Sequence, residues 1–170
     1  MGVDPANVDY LIVTPLQYYA TSNVDLFTHA KICILKRGWA DFHVPTHGFY
    51  DSMCSLIIPY DILARLVTDD WSRLRLLEDE DEILPGIRTV FAGVHHRSSV
   101  AVCIDTEKGM AVFSDCFFKF RNIEENIPIG AVENIEEGYH TYQKIRRMAK
   151  LLIPMFDPEL FNRYPGGIIA

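Results

Sequence analysis

Short β-branched runs, each cut off by a proline, a glycine or an aspartate, alternate in this chain with stretches of helical spacing, and that punctuation restricts it to a mixed architecture. Val8 to Thr14 is apolar and β-branched, and Pro15 ends it because proline lacks the N–H that a strand ladder needs. Lys31 to Leu35 reads as a second short buried strand, with Arg37, Gly38 and Trp39 turning away from it. Pro59 suits a helix start, and Ile62, Leu63, Leu66 and Val67 fall on one helical face. Arg73 to Leu77 and Ile87 to Phe91 read as strands flanking an acidic solvated turn, Glu78 to Glu82, closed by Pro85 and Gly86. Val100 to Ile104 and Met110 to Phe113 form another pair, joined across Asp105 to Gly109, so the spacing predicts a meander of hairpins. Ile135, Tyr139, Tyr142, Ile145, Ala149 and Leu152 then recur at helical intervals, which predicts a helix of about four turns. Lys144, Arg146, Arg147 and Lys150 lie towards its C-terminal end, where the helix dipole favours cations. Pro158 opens a last short helix that Pro165, Gly166 and Gly167 terminate. Strands mixed with helices that pack on one face of each sheet give an expected class of α+β.

The chain has 170 residues, 49% of them apolar and 23% charged, without a repeat or a Gly/Ser linker, so residues 1–170 are expected to form a single domain. No apolar run is long enough to cross a bilayer, and Met1 to Val8 carries neither a basic start nor an apolar leader; a cytoplasmic protein is expected, with no membrane contact. Cys33, Cys54, Cys103 and Cys116 show no C-x-x-C spacing and sit mostly in or beside apolar strand runs, the setting of buried free thiols. A formal charge of −7 without a basic stripe argues against nucleic acid as a partner. The basic residues between Lys144 and Lys150 read as the solvated face of a helix.

Particular loops add a further likeness. Tyr10 to Thr14 runs into Pro15, Leu16, Gln17, Tyr18, Tyr19 and Ala20; Gly93, Val94, His95, His96, Arg97, Ser98 and Ser99 precede the strand Val100 to Ile104; and Ala111 to Ser114 ends on Asp115 and Cys116. In order and spacing these segments resemble the metallo-β-lactamase superfamily, and the stretch from Asp157 to Pro165 is similar to its lactonase-like members. The resemblance implies part of an αββα sandwich. It also implies a metal site, whose first loop would read His-x-His-x-Asp-His where this chain has Pro15, Gln17, Tyr19 and Ala20. His95 matches the histidine of the next ligand loop and Asp115 the metal-bridging aspartate, while Phe156 replaces the last histidine.

Two retained donors fall short of the three or four that tight zinc binding takes, so a binuclear zinc centre is not expected. His95 and Asp115 remain the candidate metal ligands and catalytic residues, and with His96 they would make a donor set suited to one divalent ion, zinc or iron. Adjacent histidines in a regular strand point to opposite faces, so that site needs an irregular loop. The plainer reading is a hydrogen-bonded His95–Asp115 pair left in an ancestral pocket. Gln17, Tyr19, His96 and Phe156 are the candidate substrate-binding residues, because hydrogen-bonding and stacking groups in place of charged ligands turn a metal pocket into a neutral one. Cys116 stands near a candidate base but is flanked by Phe113, Phe117 and Phe118, so a packed thiol is expected rather than a nucleophile. His43 and His47 read as loop histidines, and His29 and His140 as surface groups.

Members of the superfamily carry a block of strands before the signature loop, and this chain starts almost at the loop. A complementary chain, or an exchange within a homo-oligomer, is therefore expected to supply the missing strands and cover the exposed edges, or else the chain folds as a reduced version. Two functional readings follow. The first is a non-catalytic or altered-function binding or regulatory subunit that takes a small molecule. The alternative is a hydrolase of small lactones, esters or cyclic amides, metal-dependent or acid/base, that uses His95 and Asp115.

Overall fold

The computed structural model describes residues 2–44 and 58–169 and divides into two compact units, Met1–Glu78 and Asp79–Ala170. In the first, strands β1 (Tyr10–Val13), β2 (Lys31–Leu35) and β3 (Leu74–Leu77) pair in parallel in that order. Parallel strands need crossovers, and helices Lys36–Phe42 and Tyr60–Val67 lie between β2 and β3. Ile32 and Ile34 pack with Val13, Leu16, Trp39, Ile58, Ile62 and Leu66 into one core. The helix at Lys36 stands where the sequence suggested only a turn, and its Trp39 is buried in that core. A buried Asp70 forms an ion pair with Arg73 at 2.8 Å, and the Arg73 guanidinium donates to the Phe27 and Ala30 carbonyls, which ties the start of β3 to the segment before β2.

In the second unit, β4 (Glu80–Leu84), β5 (Ile87–Phe91), β6 (Val100–Thr106) and β7 (Gly109–Ser114) form the antiparallel meander, and β8 (Leu151–Pro154) pairs in parallel with β7. The acidic run read as a turn is thus largely an edge strand. Glu80 and Glu82 alternate outward, Ile83 is buried after a register shift, and charges on an edge discourage pairing with another sheet. β3, expected to pair with Ile87 to Phe91, belongs to the first sheet instead.

Val90, Ala101, Cys103 and Val112 share one face of the meander and pack against Tyr142 and Ile145 of the long helix Ile135–Met148. Asn134 caps that helix by accepting the Glu137 N–H at 3.0 Å, and Glu136 and Glu137 in its first turn suit the dipole. The helix stops four residues short of Leu152. Ala149 turns extended, Lys150 donates its N–H to the Met110 carbonyl at 2.8 Å, and Leu151 to Pro154 take up the free edge of β7. Helical spacing and a short apolar strand are indistinguishable there by periodicity, and the open sheet edge decides. Its basic residues form the solvated face expected of them: Lys144, Arg146, Arg147 and Lys150 are exposed, Lys144 pairing with Glu80 and Arg146 donating to the Ile123 carbonyl. Pro165–Gly167 forms a 3-10 turn after the short helix Leu160–Arg163, whose Arg163 lies over the Phe120 ring.

Cys33, Cys103 and Cys116 are free and buried; Cys54 and His47 lie outside the described residues. Among the described residues no helix is long and apolar enough to cross a membrane.

Candidate functional site

Antiparallel register gathers the candidate groups of the second unit at one end of its sheet. β5 rises to Phe91, the loop 92–99 turns back into β6, and the pairing of Val102 with Phe113 brings the end of β7, at Ser114, beside the start of β6. β8 runs parallel to β7, so Phe156 follows at the same end. The loop is closed at its base: Ser99 accepts the Ala92 and Gly93 amides and donates its own N–H to the His96 carbonyl at 2.9 Å. Gly93 and Val94 have φ of 57° and 65°. For Gly93 that is unstrained and its Cα–H face abuts Glu137, while for a β-branched valine it is a real outlier.

Because the loop is irregular, His95 and His96 lie on the same side, with ring centroids 4.0 Å apart. The His95 Nδ1 is 2.8 Å from the Ala131 carbonyl, and since a carbonyl only accepts, Nδ1 carries the proton and Nε2 keeps its lone pair. Burial holds this imidazole below its ordinary range, against the upward pull of the Ala131 carbonyl, Asp115 and Glu133. The ring stands edge-on to Phe118, which stands edge-on to Phe156 at 5.0 Å. Phe156, 57% exposed, therefore reaches His95 through one intervening aromatic ring.

Asp115 is 1% exposed. Its Oδ2 accepts the Ser99 hydroxyl at 2.7 Å, and its Oδ1 is buried with no hydrogen-bond partner. Burial pushes the carboxyl up, opposed first by the Ser99 bond and then by His95 and His96. The expected direct hydrogen bond between His95 and Asp115 is not formed, because each is claimed by a closer neighbour: the Ala131 carbonyl for one, the Ser99 hydroxyl for the other. The two interact through charge alone.

Glu133 reaches into the loop from the residue before the Asn134 cap. Its Oε2 accepts the Arg97 N–H at 2.8 Å, its Oε1 lies 3.4 Å from His96 Nδ1, and its own N–H donates to the Val94 carbonyl at 2.7 Å. Burial works to raise the Glu133 carboxyl, yet His96 and the Arg97 amide and guanidinium outweigh it and hold the group below the usual carboxylate range. Nothing in the sequence marked Glu133, and Ser99 and Phe118 stood out only as neighbours of His95 and Cys116. Ser99 and Glu133 act through strand register and a helix cap that no short motif encodes; the apolar Phe118 read only as packing.

Gln17 and Tyr19 belong to the first unit. Gln17 precedes the one-turn helix Tyr18–Thr21, and Tyr18 and Tyr19 present 52% and 47% of their surface, with their rings edge to face. Cys116 is fully buried and burial pushes its thiol far up, the state of a packed hydrophobe. His43 caps the helix Lys36–Phe42 and its Nδ1 lies 2.7 Å from the Trp39 carbonyl, while His29 and His140 are exposed. Among the described residues no group of three or more His, Cys, Asp and Glu side chains is placed to hold a metal ion.

No family model and no curated protein matches this sequence. Solved structures do. The chain is similar to an N-acyl homoserine lactone hydrolase solved with N-hexanoyl-L-homoserine at its catalytic metal centre, at 15% identity and a TM-score of 0.68 over 95% of this chain and 61% of that one. It is similar to a probable metal-dependent hydrolase from Staphylococcus aureus, at 16% identity and a TM-score of 0.68 over 85% of this chain and 51% of that one. A protein from Thermotoga maritima assigned as a metallo-β-lactamase matches at 14% identity and a TM-score of 0.65, over 92% of this chain and 70% of that one. The likeness is one of fold alone: this α+β chain has the metallo-β-lactamase fold. It spans 61% of the length of the lactone hydrolase.

Proposed function

We propose that this chain uses a metallo-β-lactamase fold to bind a small molecule, with the metal-dependent hydrolysis typical of the fold lost or altered. The observation that carries the proposal is the donor set: among the described residues no group of three or more His, Cys, Asp and Glu side chains is placed to hold a metal ion. Asp115, the match to the bridging aspartate, is buried behind one serine hydroxyl, and its second oxygen has no hydrogen-bond partner among the described residues. His95 Nε2 and Asp115 Oδ1 are two donors where zinc takes three or four, so the described residues do not fit a family-type centre. On this reading the ligand would sit beside the lone pair of His95, with Phe118 and Phe156 as an aromatic wall. Buried free thiols support a reducing, cytoplasmic setting. Elemental analysis of protein purified without chelator tests the proposal: stoichiometric zinc, iron or manganese that survives dialysis overturns it, and substoichiometric metal is the expected result.

One observation favours hydrolysis as a second reading. A neutral imidazole with Nδ1 tied to a carbonyl presents Nε2 as a general base that can take a proton from water attacking a lactone, ester or cyclic amide. On that reading His95→Ala and Asp115→Asn abolish turnover while circular dichroism stays native. Unchanged rates in both variants end it.

A further inference from the structure

We infer that Glu133 is a positioning residue for His95: it clamps the loop 94–97 so that Nδ1 meets the Ala131 carbonyl and Nε2 keeps its lone pair. The inference rests on the reading that His95 lines a binding pocket. The segment 131–133 grips the loop at three successive points. The Ala131 carbonyl takes the His95 ring proton, the Glu133 N–H holds the Val94 carbonyl, and the Glu133 carboxylate holds the Arg97 N–H two residues beyond His95. The bond from the Glu133 N–H to the Val94 carbonyl joins backbone to backbone and does not depend on the side chain at position 133. The third is the side chain's own, and it is the one that closes the loop on the far side of His95. Its carboxylate is 16% exposed and also faces His96 and the Arg97 guanidinium, so its geometry is fixed from several directions. Without it, the loop backbone loses its hold on the far side of His95, next to the strained turn at Val94, and the His95 ring can leave the Ala131 carbonyl.

The consequence is tautomeric and directly readable. A neutral imidazole free in water favours the proton on Nε2, whereas His95 in the clamped loop carries it on Nδ1. Long-range proton–nitrogen NMR of the full chain, labelled at histidine, is expected to show His95 mainly in the Nδ1–H form. Glu133→Ala should invert that preference, and Glu133→Gln should restore it, because the amide oxygen still accepts from the Arg97 N–H. Should Glu133→Ala fail to fold, Glu133→Asp, one methylene short of the Arg97 amide, is expected to show the same inversion. A folded Glu133→Ala or Glu133→Asp variant with the wild-type His95 signals overturns the inference. Metal content of the same wild-type sample separates the two failures: stoichiometric metal defeats the proposed function, and unchanged signals in metal-free protein defeat the role of Glu133.

Discussion

Replacing Ser99 with alanine removes the side-chain hydrogen bond that the described residues give the buried Asp115 carboxyl, whose other oxygen has no hydrogen-bond partner among them. Stranding a buried acceptor costs about 1–3 kcal/mol, which for a chain of this size corresponds to a fall in Tm of roughly 3–10 °C. The pH dependence carries more information than the magnitude. Burial raises the folded-state pKa of Asp115 above its unfolded value, so between the two the native state keeps a proton that the unfolded state has lost. Stability attributable to this group is therefore present below the unfolded pKa and lost as pH rises through the folded one. The Ser99 bond acts in the opposite direction, lowering the folded pKa. Ser99→Ala should consequently be more harmful at about pH 8 than at about pH 4, and in an Asp115→Asn background its cost should become independent of pH. Urea denaturation of chelator-treated protein at the two pH values measures both quantities. A deficit that is equal at the two values, or larger at the acidic one, refutes the assignment of Ser99 as the group that supports the carboxylate.

Tyr142 is fully buried and its hydroxyl donates to the Cys116 carbonyl at 2.8 Å while accepting the Ile129 N–H, so Tyr142→Phe should cost about 1–3 kcal/mol in denaturant unfolding with native secondary structure retained. Gly93→Ala should be worse than a surface glycine change. A Cβ there would meet Glu137 Oε2 at 2.1 Å and Phe91 Cζ at 2.9 Å at a φ of 57°, and a loss below about 1 kcal/mol would contradict the packing. Native Cys33, Cys103 and Cys116 should resist iodoacetamide and label only on unfolding, as read by peptide mass mapping, since all three are buried and the Cys103 thiol is pushed up to about 11. Fast native labelling at Cys116 would revive it as a nucleophile.

Legibility in the sequence followed the range of the interactions. β1, β2, the helix Tyr60–Val67 and the body of the long helix were readable because their apolar periodicity is local. The pairing of β3 was not: Leu74 to Leu77 joins a parallel sheet with partners more than forty residues away, whereas local spacing favours the nearest hairpin. Glu80 to Leu84 was hidden by its charge, which marks an edge strand as readily as a turn. At the site, the loop around His95 and the end of β7 at Asp115 were legible as strand ends. Their chemistry was set by Ser99, Ala131 and Glu133, groups with ordinary sequence neighbours that only the register of β6 and β7 and the approach to the helix cap bring into reach.

Val94 shows how that loop keeps its shape. A β-branched residue at a φ of 65° costs about 1–3 kcal/mol, and complete burial of its side chain, against Gly138 of the long helix, offsets about 1.5–3 kcal/mol. The two terms nearly cancel, so the turn rests on packing and on the Glu133 bonds. Val94→Ala loses burial and keeps most of the strain. Val94→Gly loses the same burial and slightly more, yet releases the strain, so at this position glycine should be the more stable replacement by about 1 kcal/mol, the reverse of the order in ordinary helices and strands. Urea midpoints of the two variants decide it. If Val94→Ala proves the more stable, the left-handed turn is not strained as described, and the loop owes its form to some force other than the contact with Gly138.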